Sequence, residues 1–570
     1  METEKLTPGQ RFWRLLKPDQ KEITNIYIYA IFKGLVNLSV PLGIQAIVNL
    51  IQGGQVSTSW IVLVFFVILG VGINGVLNIF QLRITENIQQ KIYARAAFDF
   101  AYRIPRFKME SLNLHYPPEL MNRFFDTMTV QKGISKILVE FSTASLQTFF
   151  GLVLLSLYHP TFIMFSVFLV LMAYAIFKFT GRRGLRTSLM ESKYKYETAH
   201  WLEELARTAT TFKLAGKTDL PLKRVDEHVG DYLEARESHF KVLVQQYSSL
   251  VAFKVIISAG LLIIGGILVI EQQMNIGQFI AAEIIILMII SSVEKLIISL
   301  EVIYDVLTSL EKMGNVTDID VENSEGMDLA NENLEGGIAI DFNEVNFSYP
   351  NSEDLALKEV NLSIQGGEHV LITGDSGTGK TTMLNLIAGL FDVKQGQICF
   401  QGIPMSNLDR ESLRTIMGDC LSQEQLFKGC IIDNITMGRE AATFENVRWA
   451  VDNLGLADFV RKQPKGYDTV LDPEGKTLPR GIVQKLLIAR SIVVRPKLLV
   501  FEYIVDSLDR KDRKKIIDFL TQKEHGWTIV TASRNNYFAE KCSRIILLKE
   551  GRISKEGTYL ELKDELDLDF

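Results

Sequence analysis

Six stretches of the chain are apolar over enough residues to cross a bilayer, near 22–51, 59–83, 134–157, 160–180, 242–270 and 276–305; a helical crossing takes roughly 20 residues. They group into three hairpins. The links Gln52 to Thr58, Tyr158-His159-Pro160 and Glu271 to Asn275 contain no Lys or Arg. The connections 84–133 and 181–241 are long and basic, as in Lys178-Phe-Thr-Gly-Arg-Arg-Gly-Leu-Arg186. Basic residues favour the cytosolic side, so both termini and both long connections are predicted to lie in the cytosol.

Those connections keep a helical period, so the membrane helices should continue well past the lipid. Short cross-helices are predicted near Pro117–Phe125 and Trp201–Thr210, where a soluble domain would make contact. At the start of the chain, Phe12, Trp13, Leu15 and Leu16 predict a short amphipathic helix on the membrane surface. No signal peptide is recognised there.

After residue 315 the pattern changes. Residues 316–337 are acidic and loop-like and predict a linker. Ile338-Ala-Ile-Asp-Phe-Asn-Glu-Val-Asn-Phe-Ser-Tyr349 then alternates like the strands of a small sheet, and His369-Val-Leu-Ile-Thr373 reads as a buried strand. The predicted organisation is an N-terminal interfacial helix (1–21), an all-α six-helix transmembrane domain with cytosolic extensions (22–315), the linker, and an α/β domain over 338–570.

Composition agrees with this division. Of 570 residues 47% are hydrophobic, and the mean hydropathy is +0.14, high for a soluble protein. The formal net charge of −6 gives no reason to invoke nucleic acid as a partner. All four cysteines, Cys399, Cys420, Cys430 and Cys542, fall in the α/β half without CxxC spacing or a His cluster. They predict reduced thiols rather than disulfides or a metal centre.

Charges within membrane segments are costly and usually face the bundle interior or a cavity. Lys33, Glu140, Lys254 and Glu294 lie about 16–18 residues from the outer ends of their segments, one layer at about 1.5 Å per residue. Two charges of each sign at one depth predict mutual pairing. Glu283, nearer the outer end in Ala281-Ala-Glu-Ile-Ile-Ile286, has no basic residue at its depth and is a candidate either for lining a cavity or for a structural pairing that the sequence does not show.

The chemistry concentrates after the buried strand. Gly374, Asp375, Ser376, Gly377, Thr378, Gly379, Lys380, Thr381 and Thr382 form a glycine-rich turn opening into a helix, which is the context of a phosphate-binding loop. Successive backbone N–H groups and the helix N-terminus cradle phosphates, Lys380 supplies positive charge, and the Thr381 hydroxyl is placed to hold Mg²⁺. ATP and Mg²⁺ are the cofactors implied.

The remaining segments resemble the ABC transporter family along essentially the whole chain. Phe347-Ser-Tyr349 is similar to the aromatic loop whose Tyr stacks on adenine. Leu426-Phe-Lys-Gly-Cys-Ile-Ile-Asp-Asn-Ile435, Gly466-Tyr-Asp-Thr469, Ile488-Ala-Arg490 and Gly551-Arg-Ile-Ser-Lys-Glu-Gly-Thr558 are similar to stretches in its ATP-binding domain. The six-helix half resembles the exporter-type membrane domain, and the whole is most similar to half-transporters of type I secretion and peptide export. The resemblance implies a multi-pass protein of a bacterial inner membrane. It also implies a homodimer, or a heterodimer with a second, intact half-transporter, and a periplasmic adaptor as a further partner. An N-terminal peptidase domain of the kind some such exporters carry is not expected.

The hydrolytic positions depart from the family. Where the Walker B strand ends in Asp and a catalytic Glu, this chain has Glu502 and Tyr503. The switch His is Ser533. The Q-loop Gln is Ser422, with Gln423 as a substitute if the loop shifts by one. The signature Leu-Ser-Gly-Gly-Gln reads Leu478, Pro479, Arg480, Gly481, Ile482; Pro479 lacks a hydroxyl and an N–H donor. Arg480 adds bulk and a charge able to meet a phosphate. Glu502 remains able to approach Mg²⁺, one methylene longer than Asp. Nucleotide binding is therefore expected and hydrolysis by this chain is expected to be weak or absent. The open alternative is a non-hydrolysing scaffold that regulates a partner transporter.

Overall fold

A computed structural model describes residues 6–52, 58–113, 117–322, 325–331, 336–350, 352–422 and 424–565. It divides into two compact units, Met1–Pro105 with Tyr116–Ile319, and Arg106–His115 with Asp320–Phe570.

The first unit is helical, and six of its helical stretches are long and apolar enough to cross a membrane. The first is two helices, Gln20–Asn37 and Ser39–Gln52, with Pro41 just inside the second, where its missing N–H costs least. The others run through Thr58–Arg103, a compound stretch from Asp126 to Ser156, Pro160–Arg207, Leu220–Ile270 and Ile276–Thr317. Helices of 42 to 51 residues far exceed what a bilayer requires. The sharp reversals have local causes. His159 Nδ1 accepts from Thr161 N–H and Pro160 opens the helix, and Asn275 and Gln278 form a reciprocal capping box before the last helix. The described part of the link Gln52 to Thr58 is its two ends, since 53–57 lie outside the described residues.

The predicted charge layer resolves in part. Lys254 Nζ lies 2.8 Å from Glu294 Oε2. Lys33 instead donates to the side chain of Asn78, and Glu140 is exposed. Glu283 is exposed between the buried Ala282 and Ile285. The amphipathic helix forms over Pro8–Leu16. Trp13 faces outward, while Arg11 is buried against Gly314 and donates to Asp318. The short helix Pro117–Asn122 forms where one was predicted. Trp201–Thr210 is not a separate cross-helix: it holds the end of Pro160–Arg207 and the start of Ala209–Leu214.

The second unit contains a six-stranded sheet in the order Arg552–Gly557, Arg544–Lys549, His369–Thr373, Thr528–Ala532, Leu498–Glu502, Met417–Cys420. All its pairs are parallel except the first. His369–Thr373, Leu498–Glu502 and Thr528–Ala532 are buried at every position, as befits strands covered on both faces. Leu371, Leu499, Phe501 and Ile529 enter one core, and Val370, Ile372, Val500, Val530 and Ala532 enter the other. A second, antiparallel sheet joins Leu357–Ile364, Ile340–Phe347, Gln395–Phe400 and Ile403–Pro404.

Two segments that read as connections belong to this unit. Residues Arg106–His115 join it through a bridge from Phe107 to Val321 and an Asp392 N–H donated to Glu110 at 2.7 Å. Within the predicted linker, Leu329 is 1% exposed and its N–H donates to Ser412 Oγ at 3.0 Å. The acidic pattern around Leu329 masked one apolar side chain that the core needs.

Candidate nucleotide site

Parallel strands end together, so their following residues converge on one edge of the sheet, where α/β proteins bind ligands. Register sets this edge here: Ala532 lies opposite both Ile372 and Glu502, and Phe501 lies opposite Cys420. Four loops therefore start side by side, from residues 374, 421, 503 and 533.

The glycine-rich loop needs its glycines for space as well as conformation. Gly374 has φ +137° and a Cβ there would sit 2.2 Å from Leu548 O; Gly379 has φ +99° and a Cβ would sit 2.7 Å from Ala356 O. The loop tip, Asp375, Ser376 and Gly377, is exposed. Lys380 opens the helix Lys380–Ile387 and folds back, its Nζ donating to Gly374 O at 2.8 Å and Asp375 O at 2.5 Å. Burial lowers the pKa of its ammonium and the Arg534 charge pushes the same way, against Asp375 and Glu502. Thr378 Oγ1 donates to Asp375 O at 3.0 Å.

Alternation along Leu498–Glu502 puts Glu502 on the face of Val500, the side packed by Met383 and Leu384 of the loop's helix. Its carboxylate accepts from the Thr381 hydroxyl through Oε1 and from the Ser422 N–H, at 3.1 Å, through Oε2. Glu502 is 5% exposed. Tyr503 follows at φ +49°, an uncommon conformation for a bulky residue, and its N–H donates to Ala532 O at 2.9 Å. Ser533 is 1% exposed, and its Oγ accepts from Asn535 N–H at 3.0 Å. Gln423 lies outside the described residues.

Tyr349 packs edge-on to Phe347 and Phe391, ring centres 5.1 and 5.3 Å away, and its hydroxyl meets Thr382 Oγ1 at 3.0 Å. The segment Leu478–Ile482 opens another helix, Arg480–Ile492, with Pro479 at its cap and both Pro479 and Arg480 exposed. No described hydrogen bond joins this segment to the glycine-rich loop.

Residues 23–293 match the family described as the ABC transporter transmembrane region, and residues 357–502 match that described as ABC transporter. The chain belongs to the ABC transporter family. It is 22% identical over 546 residues to the transport/processing ATP-binding protein ComA of Streptococcus pneumoniae R6, covering 95% of this chain and 75% of that protein. Over 303 residues it is 31% identical to the alpha-hemolysin translocation ATP-binding protein HlyB of Escherichia coli O157:H7, covering 53% of this chain and 42% of that one. The chain thus spans about two fifths of the length of the HlyB relative. Its fold matches a bacterial Atm1-family ABC exporter solved with ATP bound, with a TM-score of 0.79, 18% identity and 96% of each chain covered. The half-transporter architecture, six membrane helices followed by a nucleotide-binding domain, is that of an ABC exporter.

The structure of this ABC transporter chain adds groups that motif spacing did not single out. Arg534 is half-buried, and its charge reaches both Lys380 and Tyr503. Behind the turn at Ser422, Glu424 accepts from Leu421 N–H at 2.8 Å and lies 3.8 Å from Arg490 Nη1. Burial, with the neighbouring Asp419 carboxyl, pushes Glu424 up to about 8. Only an Asp in an otherwise apolar buried strand, Met417–Cys420, hints at this pair in the sequence.

Proposed function

We propose that this chain is the ATP-binding subunit of a dimeric ABC exporter that moves a peptide, protein or lipid-like substrate out of the cytosol, and that it contributes little or no hydrolysis itself. The observation that carries this reading is Tyr503 at the strand end beside the phosphate loop, where the family resemblance puts a catalytic carboxylate. A phenol neither takes a proton at neutral pH nor orients water as a carboxylate does. Ser533, buried and bonded to its own loop, has no imidazole to offer. Losing such groups commonly costs about 10²–10⁴-fold in rate.

ATP binding rests on the loop Gly374 to Thr382 and on Tyr349, all of which retain the residue types the resemblance implies. The damaged signature Leu478–Ile482 favours pairing with an intact half-transporter, which would supply its own signature to the site on this chain. Printed functions of relatives, hemolysin translocation and transport/processing, point to peptide or protein cargo; a lipid A-core flippase of Alkalilimnicola ehrlichii, 33% identical over 226 residues, keeps lipid-like cargo in view. Glu283, exposed on a membrane helix, fits a position facing a translocation path rather than lipid. The ATP-binding domain and both termini are assigned to the cytosol by the basic connections.

The test is ATP turnover by the purified full chain, alone and with Tyr503→Glu plus Ser533→His. The expected result is negligible turnover for the wild type and a measurable gain for the double variant. Robust turnover by the wild type alone would overturn the proposal. The damaged signature also favours a second reading, a regulatory scaffold. It predicts that an intact partner hydrolyses ATP at an altered rate with this chain present while no cargo crosses reconstituted vesicles.

A further inference from the structure

In ABC transporters nucleotide normally binds with Mg²⁺, so the donors around the phosphate loop can be tested against a divalent ion. Mg²⁺ demands near-octahedral oxygen coordination with short bonds and retains water in most of it, so it needs room beside its protein oxygens. That room is crossed here by a side chain. The Glu502 carboxylate reaches from the end of its strand to the Thr381 hydroxyl with one oxygen and to the Ser422 amide with the other. Both oxygens are engaged, and the residue is almost fully buried. An Asp at 502 would end one methylene shorter and leave the gap open. Ser422 meets this carboxylate through its backbone N–H, a donor that repels a cation. Among the described residues, those around the loop do not fit a resident divalent ion.

A triphosphate is strongly anionic, so without a divalent ion the cations beside the loop must meet its charge. The groups acting on Lys380 are Arg534, of like sign, and Asp375 and Glu502, of opposite sign. Among the described residues Arg534 forms no ion pair. Lys380 donates to two carbonyl oxygens of the loop, and Arg534, half-buried just past the neighbouring strand, adds a second cation to the site. A guanidinium binds phosphate oxygens in pairs, as a point charge does not.

We propose that Glu502 and Arg534 together take the place of the divalent cation in this chain, Glu502 by closing its seat and Arg534 by supplying positive charge, so that the chain binds nucleoside triphosphate without Mg²⁺. The proposal rests on the nucleotide-binding reading above. It makes the chain's own site indifferent to the metal on which a hydrolysing site depends.

The experiment is equilibrium binding of ATP to the purified full chain in excess Mg²⁺ and in excess EDTA, read by dialysis of labelled nucleotide. The expected wild-type dissociation constants agree within about threefold. Glu502→Asp reopens the seat and is expected to bind at least about tenfold more tightly with Mg²⁺ than with EDTA. With Mn²⁺ as the probe, paramagnetic resonance should then show ATP-dependent binding of the ion to Glu502→Asp exceeding that to the wild type. Arg534→Met is expected to lose at least about tenfold in affinity in EDTA. Wild-type binding that weakens tenfold or more on chelation overturns the inference and leaves the nucleotide-binding reading intact. No binding under either condition overturns that reading and the inference with it. The wild-type comparison needs no variant to fold, and the thermal melts of the variants identify any that do not.

Discussion

Lys254 and Glu294 meet at 2.8 Å between Leu220–Ile270 and Ile276–Thr317, each about one third exposed. Removing one partner leaves the other half-buried charge without its hydrogen-bond partner, which costs about 1–3 kcal/mol. Lys254→Met is therefore expected to lower the melting temperature of the detergent-purified protein, and Lys254→Met with Glu294→Gln to recover most of the loss. A double variant no more stable than the single one would show that the pair is not coupled.

Lys380 is held by two carbonyl oxygens before any ligand arrives, so its replacement removes a preorganised charge. A hydrogen bond to a charged group is worth about 1.5–3 kcal/mol. Lys380→Ala should then weaken ATP binding by about 10–150-fold in titration calorimetry. Unchanged affinity would place the phosphates elsewhere.

Tyr503 sits at φ +49° with its N–H fixed on Ala532 O. Backbone strain of this kind costs about 1–3 kcal/mol and grows with branching at Cβ. Tyr503→Ile is expected to destabilise the protein by an amount in that range, while Tyr503→Asn, a residue that tolerates left-handed backbone, should not. Thermal unfolding of both variants tests this. Equal stabilities would contradict the strain.

Glu424 carries a pKa of about 8 against an ordinary 4.5, because burial beside Asp419 disfavours its charged form. Between those values the folded state holds a proton that the unfolded state releases, so stability falls as pH rises through the window and the loss is complete above the folded value. Asp419, raised by burial as well, acts in the same direction. Glu424→Gln should flatten the decline in melting temperature from pH 5 to 8 and raise the value at pH 8 by about 2–4 °C for each kcal/mol recovered. An unchanged pH profile would remove Glu424 from the account.

Much of this protein is written in short stretches of its sequence. Spans of apolar residues announce membrane helices because lipid leaves no alternative for backbone polar groups, and among the described residues six helices are long and apolar enough to cross. The glycine-rich run between a buried strand and a helix announces a phosphate loop because glycines at fixed spacing are the local requirement for its turns. Positions 422, 502, 503 and 533 are legible as strand-end positions for the same reason, since each sits a fixed distance from a buried strand.

What the sequence leaves open depends on residues distant along the chain. Four charges at one depth suggested common pairing, yet Lys254 takes Glu294 while Lys33 turns to Asn78, because helix rotation decides which side chains face each other. Arg106–His115 joins the unit of residues 320–570, although its neighbours on both sides belong to the membrane unit. Glu502, 121 residues from Thr381 and 80 from Ser422, bridges them because strand register brings their loops to one edge of the sheet. The sequence by itself determined that this chain has an apolar helical half and a glycine-rich loop between a buried strand and a helix. Tertiary structure decided that the acid beside that loop bonds to the chain itself, since spacing determines which residues a strand presents but only packing determines what they meet.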